Sequence, residues 1–138
     1  MTRIKTQYVG QWIDVTRSKQ FTFDGTVVTG LHGDSVTSAL LANDIWLQSR
    51  SFKYHRPRGP LTLCGQDANT LVQTPNTPNV LADRLEVEED LRVSAQHYTG
   101  WLRFDLSRLL DWFGRFLPVG FYYKAFFKPS GSWRWWEP

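Results

Sequence analysis

Gln20-Phe-Thr-Phe-Asp-Gly-Thr-Val-Val-Thr-Gly-Leu-His-Gly-Asp-Ser-Val-Thr-Ser-Ala-Leu-Leu-Ala-Asn43 decides the fold. Its first residues alternate polar and apolar, as a strand with one buried face does. Asp24-Gly25 is a strong hairpin-turn signal. Val27 and Val28 begin the return strand, which ends near Gly30. Gly33-Asp34-Ser35 then opens a helix, and Asp34 or Ser35 can accept hydrogen bonds from the open amides of its first turn. Val36, Ala39 and Leu40, with Asn43, fall on one face at helical spacing.

Reading on toward the C-terminus, Ile45-Trp46-Leu47 predicts a short strand or sheet edge. In the next segment Pro57, Gly59 and Pro60 argue against regular structure. Leu61–Leu63 and Thr70–Gln73 each predict a short strand, and Gln73-Thr-Pro-Asn-Thr-Pro-Asn79 is a turn-rich connection. Leu81, Asp83, Leu85 and Val87 alternate as in a strand. Residues 88–104 give no clear assignment. Asp105 is placed to cap a second amphipathic helix, with Leu106, Leu109, Leu110, Phe113 and Phe116 apolar and Leu117-Pro118 and Gly120 at its end. A hairpin, a helix and further strands fit one helix laid across a small mixed sheet, an α+β fold. The expected division is an N-terminal extension over 1–18, a sheet-and-helix domain over 19–87, and a helical, aromatic extension over 88–138 that packs on partner chains.

The 138 residues suffice for one domain with a modest core. A hydrophobic share of 41% excludes a disordered chain, and the 15% aromatic share exceeds what so small a core needs. The net charge of +3 lacks the broad basic stripe of a nucleic-acid binder. A single cysteine excludes an intrachain disulfide and a thiolate-rich zinc site, and fits a reducing compartment. Met1-Thr-Arg-Ile-Lys-Thr6 has no apolar leader, and no run approaches the ~20 apolar residues of a membrane helix. A soluble cytoplasmic protein is expected.

Arg50-Ser-Phe-Lys-Tyr-His-Arg-Pro-Arg-Gly59 is the strongest functional candidate. Burying such a charge without a partner costs roughly 3–5 kcal/mol, so its cations imply carboxylates or an anionic ligand. In one reading the arginines pair with carboxylates of a neighbouring domain or subunit. In a second, Arg50, Lys53, His55, Arg56 and Arg58 line a flavin or nucleotide pocket, where arginine grips phosphate in a bidentate manner. Nucleic acid is the least supported partner. Cys64 reads as a small buried hydrophobe rather than a nucleophile. The acidic run Glu86, Glu88, Glu89 and Asp90 reads as a solvated turn. His32 and His97 read as surface or hydrogen-bonded histidines. Phe121, Tyr122, Tyr123, Phe126, Phe127, Trp133, Trp135 and Trp136 are too many rings for a free tail, and burial against a partner chain is expected.

Five blocks together resemble one family: Phe21–Gly25, Gly33–Ser35, Ser38–Asn43, Arg50–Gly59 and Pro118-Val-Gly-Phe-Tyr-Tyr-Lys124. They are similar to the N-terminal part of the alpha subunits of heterotetrameric sarcosine oxidases and related amine- and opine-oxidising flavoprotein complexes. The resemblance implies a 2Fe–2S ferredoxin-like, β-grasp domain. Cluster-holding relatives carry C-x4-C-x2-C after the basic loop. Here Cys64 stands at the first position, Asn69 at the second and Val72 at the third, so no cluster or other metal is expected. The resemblance further implies that FAD, FMN and NAD are bound elsewhere, by the remaining alpha-type dinucleotide domain and a beta-type flavin subunit. This chain itself shows no Gly-x-Gly-x-x-Gly and no catalytic residue. It would be a non-catalytic assembly component. A ferredoxin-like electron carrier is the alternative.

Overall fold

A computed structural model describes residues 12–112. Strand β1 (Asp14–Phe23) and strand β2 (Thr26–His32) form an antiparallel hairpin with Phe21 opposite Val28 and Phe23 opposite Thr26. Asp24 and Gly25 both take positive φ, 47° and 76°, as a tight hairpin turn demands. The register breaks between Asp14 and Ser18, where β1 bulges.

Helix α1 (Val36–Ala42) follows. Ser35 is its cap, with Oγ accepting from Ser38 N at 3.2 Å. Two further open amides are met from a distant segment: Val36 N donates to Leu85 O and Thr37 N to Ala82 O. The 81–87 stretch therefore does not form the expected long strand. Val80–Leu81 (β6) forms a strand, the chain then coils, with Arg84 N and Leu85 N both bonded to Leu81 O, and Glu86 makes an isolated bridge to Ser35. Its carbonyls are turned to the start of the helix instead of to a neighbouring strand.

The sheet order is β2-β1-β7-β5-β6, with β5 at Leu71–Gln73 and β7 at Leu91–Ala95. Strand β7 runs parallel to β1 and antiparallel to β5, so the sheet is mixed. A strand in the unassigned stretch after residue 87 is thus the middle of the sheet. The expected strand at Thr70–Gln73 and the turn after it are present.

Phe21, Phe23, Val28, Val72 and Val93 from the sheet meet Val36, Ala39 and Leu40 from α1, closed by Ala82 and Val87. Leu40 is fully buried, and its truncation to alanine would cost about 2–5 kcal/mol. Gly30 lets helix and sheet approach: a Cβ there would lie 3.1 Å from Ala39 Cβ and 3.2 Å from Val87 Cγ1. At the outer strand β2, Asn43 Nδ2 donates to Thr29 O at 2.9 Å and Asp34 Oδ2 accepts from Leu31 N at 2.8 Å.

A second, two-stranded ribbon is made by β3 (Ser49–Arg50) and β4 (Pro57–Arg58). The expectation that the prolines forbid regular structure here is corrected. Pro57 faces Arg50, while the flanking hydrogen bonds run from Ser51 N to Arg56 O and from Gln48 N to Arg58 O. The missing amide of proline falls where the ladder needs none. Ile45–Leu47 forms no strand, and β3 begins two residues later. Leu61–Leu63 is also corrected, being an open loop with Leu61 and Leu63 exposed.

Candidate functional site

The ribbon presents the basic segment as a hairpin with residues 51–56 at its tip, and the structure divides its cations. Arg50 is buried. Its Nε donates to Leu102 O (2.8 Å), Nη1 to His55 O (2.7 Å) and Nη2 to Arg103 O (3.3 Å). Asp105 Oδ2 lies 3.7 Å from Nε, and both side chains are shut off from water. The carboxylate that Arg50 meets is therefore in its own chain rather than on a neighbour.

Asp105 joins three segments. Its Oδ1 accepts from Thr99 N (2.8 Å) and Ser107 N (3.0 Å), the second capping a 3-10 turn at Leu106–Arg108. Its Oδ2 lies 3.0 Å from His55 Nδ1, which is also 2.8 Å from His97 O. Both neighbours of Nδ1 are acceptors, so the network assigns the proton to that nitrogen. His55 thus holds the hairpin tip against the 97–108 segment. A short helix, α2 (Leu109–Trp112), follows the 3-10 turn, while Phe113, Phe116 and the expected helix end at Leu117–Gly120 lie outside the described residues.

The other cations point outward or onto rings. Lys53 Nζ and Arg56 Cζ lie 5.0 Å and 4.8 Å from the centre of the Tyr54 ring, within cation–π range. Phe52 is exposed and stands edge-on to His97 at 5.3 Å. Arg58 is half-buried on β4. Burial, then the charges of His55 and Arg58, hold the His97 imidazole below its ordinary pKa. Burial pushes the Asp24 carboxyl up, against the lowering effect of hydrogen bonds from Ala95 N and the Tyr98 phenol, and Tyr98 is raised in turn by burial and by Asp24.

The loop after the ribbon is tied by side chains. Asp67 is buried, with Oδ2 accepting from Leu61 N and Oδ1 from Asn69 N, both at 2.8 Å. Asp67 N donates to Asp83 Oδ2 at 2.9 Å, and Asn69 Nδ2 donates to Gly59 O at 2.7 Å. Nothing in the sequence pattern singles out Asp67, and it marks Asp105 only as a helix cap, not as the partner of Arg50 and His55. Cys64 is exposed, correcting its reading as a buried hydrophobe. His32 is paired with Glu86 at 3.8 Å, and Glu89 Oε2 accepts from Gln20 N. The acidic run is mostly exposed, as read. The aromatic residues Phe121 to Trp136 lie outside the described residues.

The sequence pattern of the 2Fe-2S iron-sulfur cluster binding domain matches residues 16–98, more than half of the chain. The chain belongs to the 2Fe–2S iron–sulfur cluster binding domain family. Within this family the mixed sheet with α1 packed across it is the expected α+β, ferredoxin-like β-grasp arrangement. Sarcosine oxidase subunit alpha of Rhizobium meliloti (strain 1021) is 44% identical over 117 residues, which cover 82% of this chain and 12% of that protein. That is the resemblance read from the five blocks, and the chain spans about an eighth of the length of this curated relative. The crystal structure of L-proline dehydrogenase from P. horikoshii shares the fold, with a TM-score of 0.52 and 22% identity over 62% of this chain and 16% of that one.

The donor set of this family member does not fit the cluster of its family. Four thiolates, or two thiolates and two histidines, are needed, and the sequence has one cysteine. Asn69, at the second cysteine position, uses its amide on Gly59. Val72, at the third, is fully buried in the core. Among the described residues no three His, Cys, Asp or Glu side chains converge as a metal site would require. The Asp67 and Asn69 hydrogen bonds hold the loop that thiolates would otherwise gather. Among the same residues no helix is long and apolar enough to cross a membrane.

Proposed function

We propose that this chain is a non-catalytic assembly component of a flavin-dependent, amine-oxidising complex similar to heterotetrameric sarcosine oxidase. The observation that carries this reading is the 44% identity with a sarcosine oxidase alpha subunit across most of the chain. The carboxylate-tied loop, which offers one thiolate where four are needed, supports a scaffolding role over electron transfer. In such complexes a secondary or tertiary amine gives up a hydride to flavin and becomes an imine. That chemistry, and the binding of FAD, FMN and NAD, belongs to an alpha-type dinucleotide domain and a beta-type flavin subunit. The outer side of the ribbon, with exposed Arg56 and half-buried Lys53 and Arg58, would meet those chains, with His55 and Arg50 fixing its shape from within. The rings from Phe121 to Trp136 would add an apolar contact. A cytoplasmic location goes with this reading.

Purification from the native source tests it. Co-elution with flavin-bearing polypeptides of amine-oxidising activity is expected, and the isolated chain should be colourless. Stoichiometric iron and labile sulfide in the isolated chain would favour the electron-carrier reading instead.

A further inference from the structure

Two histidines meet where the hairpin tip closes on the 97–108 segment, and both hold a backbone conformation that side chains seldom adopt. His55 has a φ of 53° and His97 a φ of 61°. Strain of this kind persists only where the surroundings over-determine it. At His55 the fixing contacts are those of Nδ1 with His97 O and Asp105 Oδ2, at 2.8 Å and 3.0 Å, and that of His55 O with Arg50 Nη1. The turn of the tip depends on the same residue, because His55 N closes it onto Ser51 O at 2.9 Å. The His97 ring in turn meets Phe52 of the tip edge to face, with centroids 5.3 Å apart.

Charge around the His97 ring is one-sided. From the ribbon, His55 and Arg58 both oppose its protonation, and Arg50 lies behind them on His55 O. From the 97–108 segment, Asp105 is already shared between His55 and Arg50. From the β1–β2 turn, Asp24 is committed to Ala95 N and the Tyr98 phenol. A proton arriving on the ring is therefore added to cations whose carboxylates are taken.

We infer that residues 51–56 form an acid-released latch, in which protonation of His97 parts its ring from Phe52 and His55 and lets the tip unwind from the 97–108 segment. Relief of the left-handed backbone at His55 adds to the charge repulsion. Release stops at the base of the ribbon, where Arg50 N donates to Gln96 O and the Arg50 side chain keeps Leu102 O and Asp105. Closure is complete above the ordinary histidine pKa of 6.5 and is lost as pH falls through the lower value of the closed state. The consequence for assembly rests on the functional reading above: Lys53 and Arg56 ride on the tip, so contacts made through them would weaken in acid.

NMR of the full chain, with hydrogen exchange corrected for its intrinsic rate at each pH, tests the latch between about pH 7.5 and about pH 5. Protection at the His55 amide should lie well below that at Val36 and Thr37, and should fall by up to about tenfold per pH unit, the slope of one linked proton. The ring contact between Phe52 and His97 should disappear over the same titration. His97→Asn keeps the carbonyl that His55 needs and tolerates the positive φ, so it should make protection of the tip independent of pH. Should that variant fail to fold, the wild-type ring contact and the titration of the His97 ring protons must still run together. Equal protection at the tip and at Val36, a ring contact that survives in acid, or a pH dependence retained in the variant would each overturn the latch. Tip release without loss of a flavoprotein partner from the purified complex would uphold the latch and count against the ribbon contact of the functional reading.

Discussion

His55 Nδ1 lies 3.0 Å from Asp105 Oδ2, and that contact fastens the basic hairpin to a segment distant in sequence. The same carboxylate faces buried Arg50. Asp105→Ala would leave a buried guanidinium with backbone carbonyls alone and would cost about 3–5 kcal/mol. Asp105→Asn keeps an oxygen for Thr99 N and Ser107 N and should cost less. Urea denaturation ranks the two, and equal, small losses would show that the cluster is not holding the domain.

Gly30→Val places a branched side chain against Ala39 and Val87, where a Cβ alone is already tight. Overpacking of this kind should cost about 1–3 kcal/mol. A midpoint within error of wild type would mean that α1 rides farther from the sheet than described.

Asp67→Ala removes the acceptor for two backbone amides, at a cost of about 1–3 kcal/mol. Hydrogen exchange should quicken at Leu61 and Asn69 and little elsewhere. Treatment with reductant and iron chelator should leave the wild-type midpoint where it was. A drop on chelation would show that metal, not carboxylate, gathers this loop.

His97 sets a pH dependence whose sign follows from its surroundings. Burial, His55 and Arg58 hold its pKa below the ordinary 6.5, so the unfolded chain takes up a proton that the folded chain resists. This contribution to stability is complete above about pH 6.5 and is lost as pH falls through the folded pKa. His97→Asn, which tolerates the φ of 61° found there, should flatten stability against pH across that window. An unaltered slope would place the titration elsewhere.

Cys64 is exposed and unpaired. A thiol reagent should titrate one group per native chain at nearly the rate seen after unfolding. Strong protection in the native state would contradict its position.

The hairpin and helix were legible because Phe21 and Phe23, Asp24-Gly25 and Ser35 are local signals, each complete within a few residues. The strand Leu91–Ala95 carried a weaker one. Its apolar residues Leu91, Val93 and Ala95 alternate over only five positions, directly after the acidic Glu88, Glu89 and Asp90. The coil at 82–87 was misread because Leu85 and Val87 alternate like strand residues, while its real task, accepting from Val36 N and Thr37 N, depends on a helix far away in sequence. Of the candidate site, the need of Arg50 for a carboxylate was readable, but its source was not. Asp105 reads locally as a helix cap, and its second role beside Arg50 exists only once folding has carried residue 105 to residue 50.

Asn43 and Asp34 take up Thr29 O and Leu31 N on the outermost strand. An incoming strand seeks such groups as a template, and here two side chains have already claimed them. That part of the border is closed to recruitment, so addition of a further strand there is opposed without a proline or a lysine in the strand.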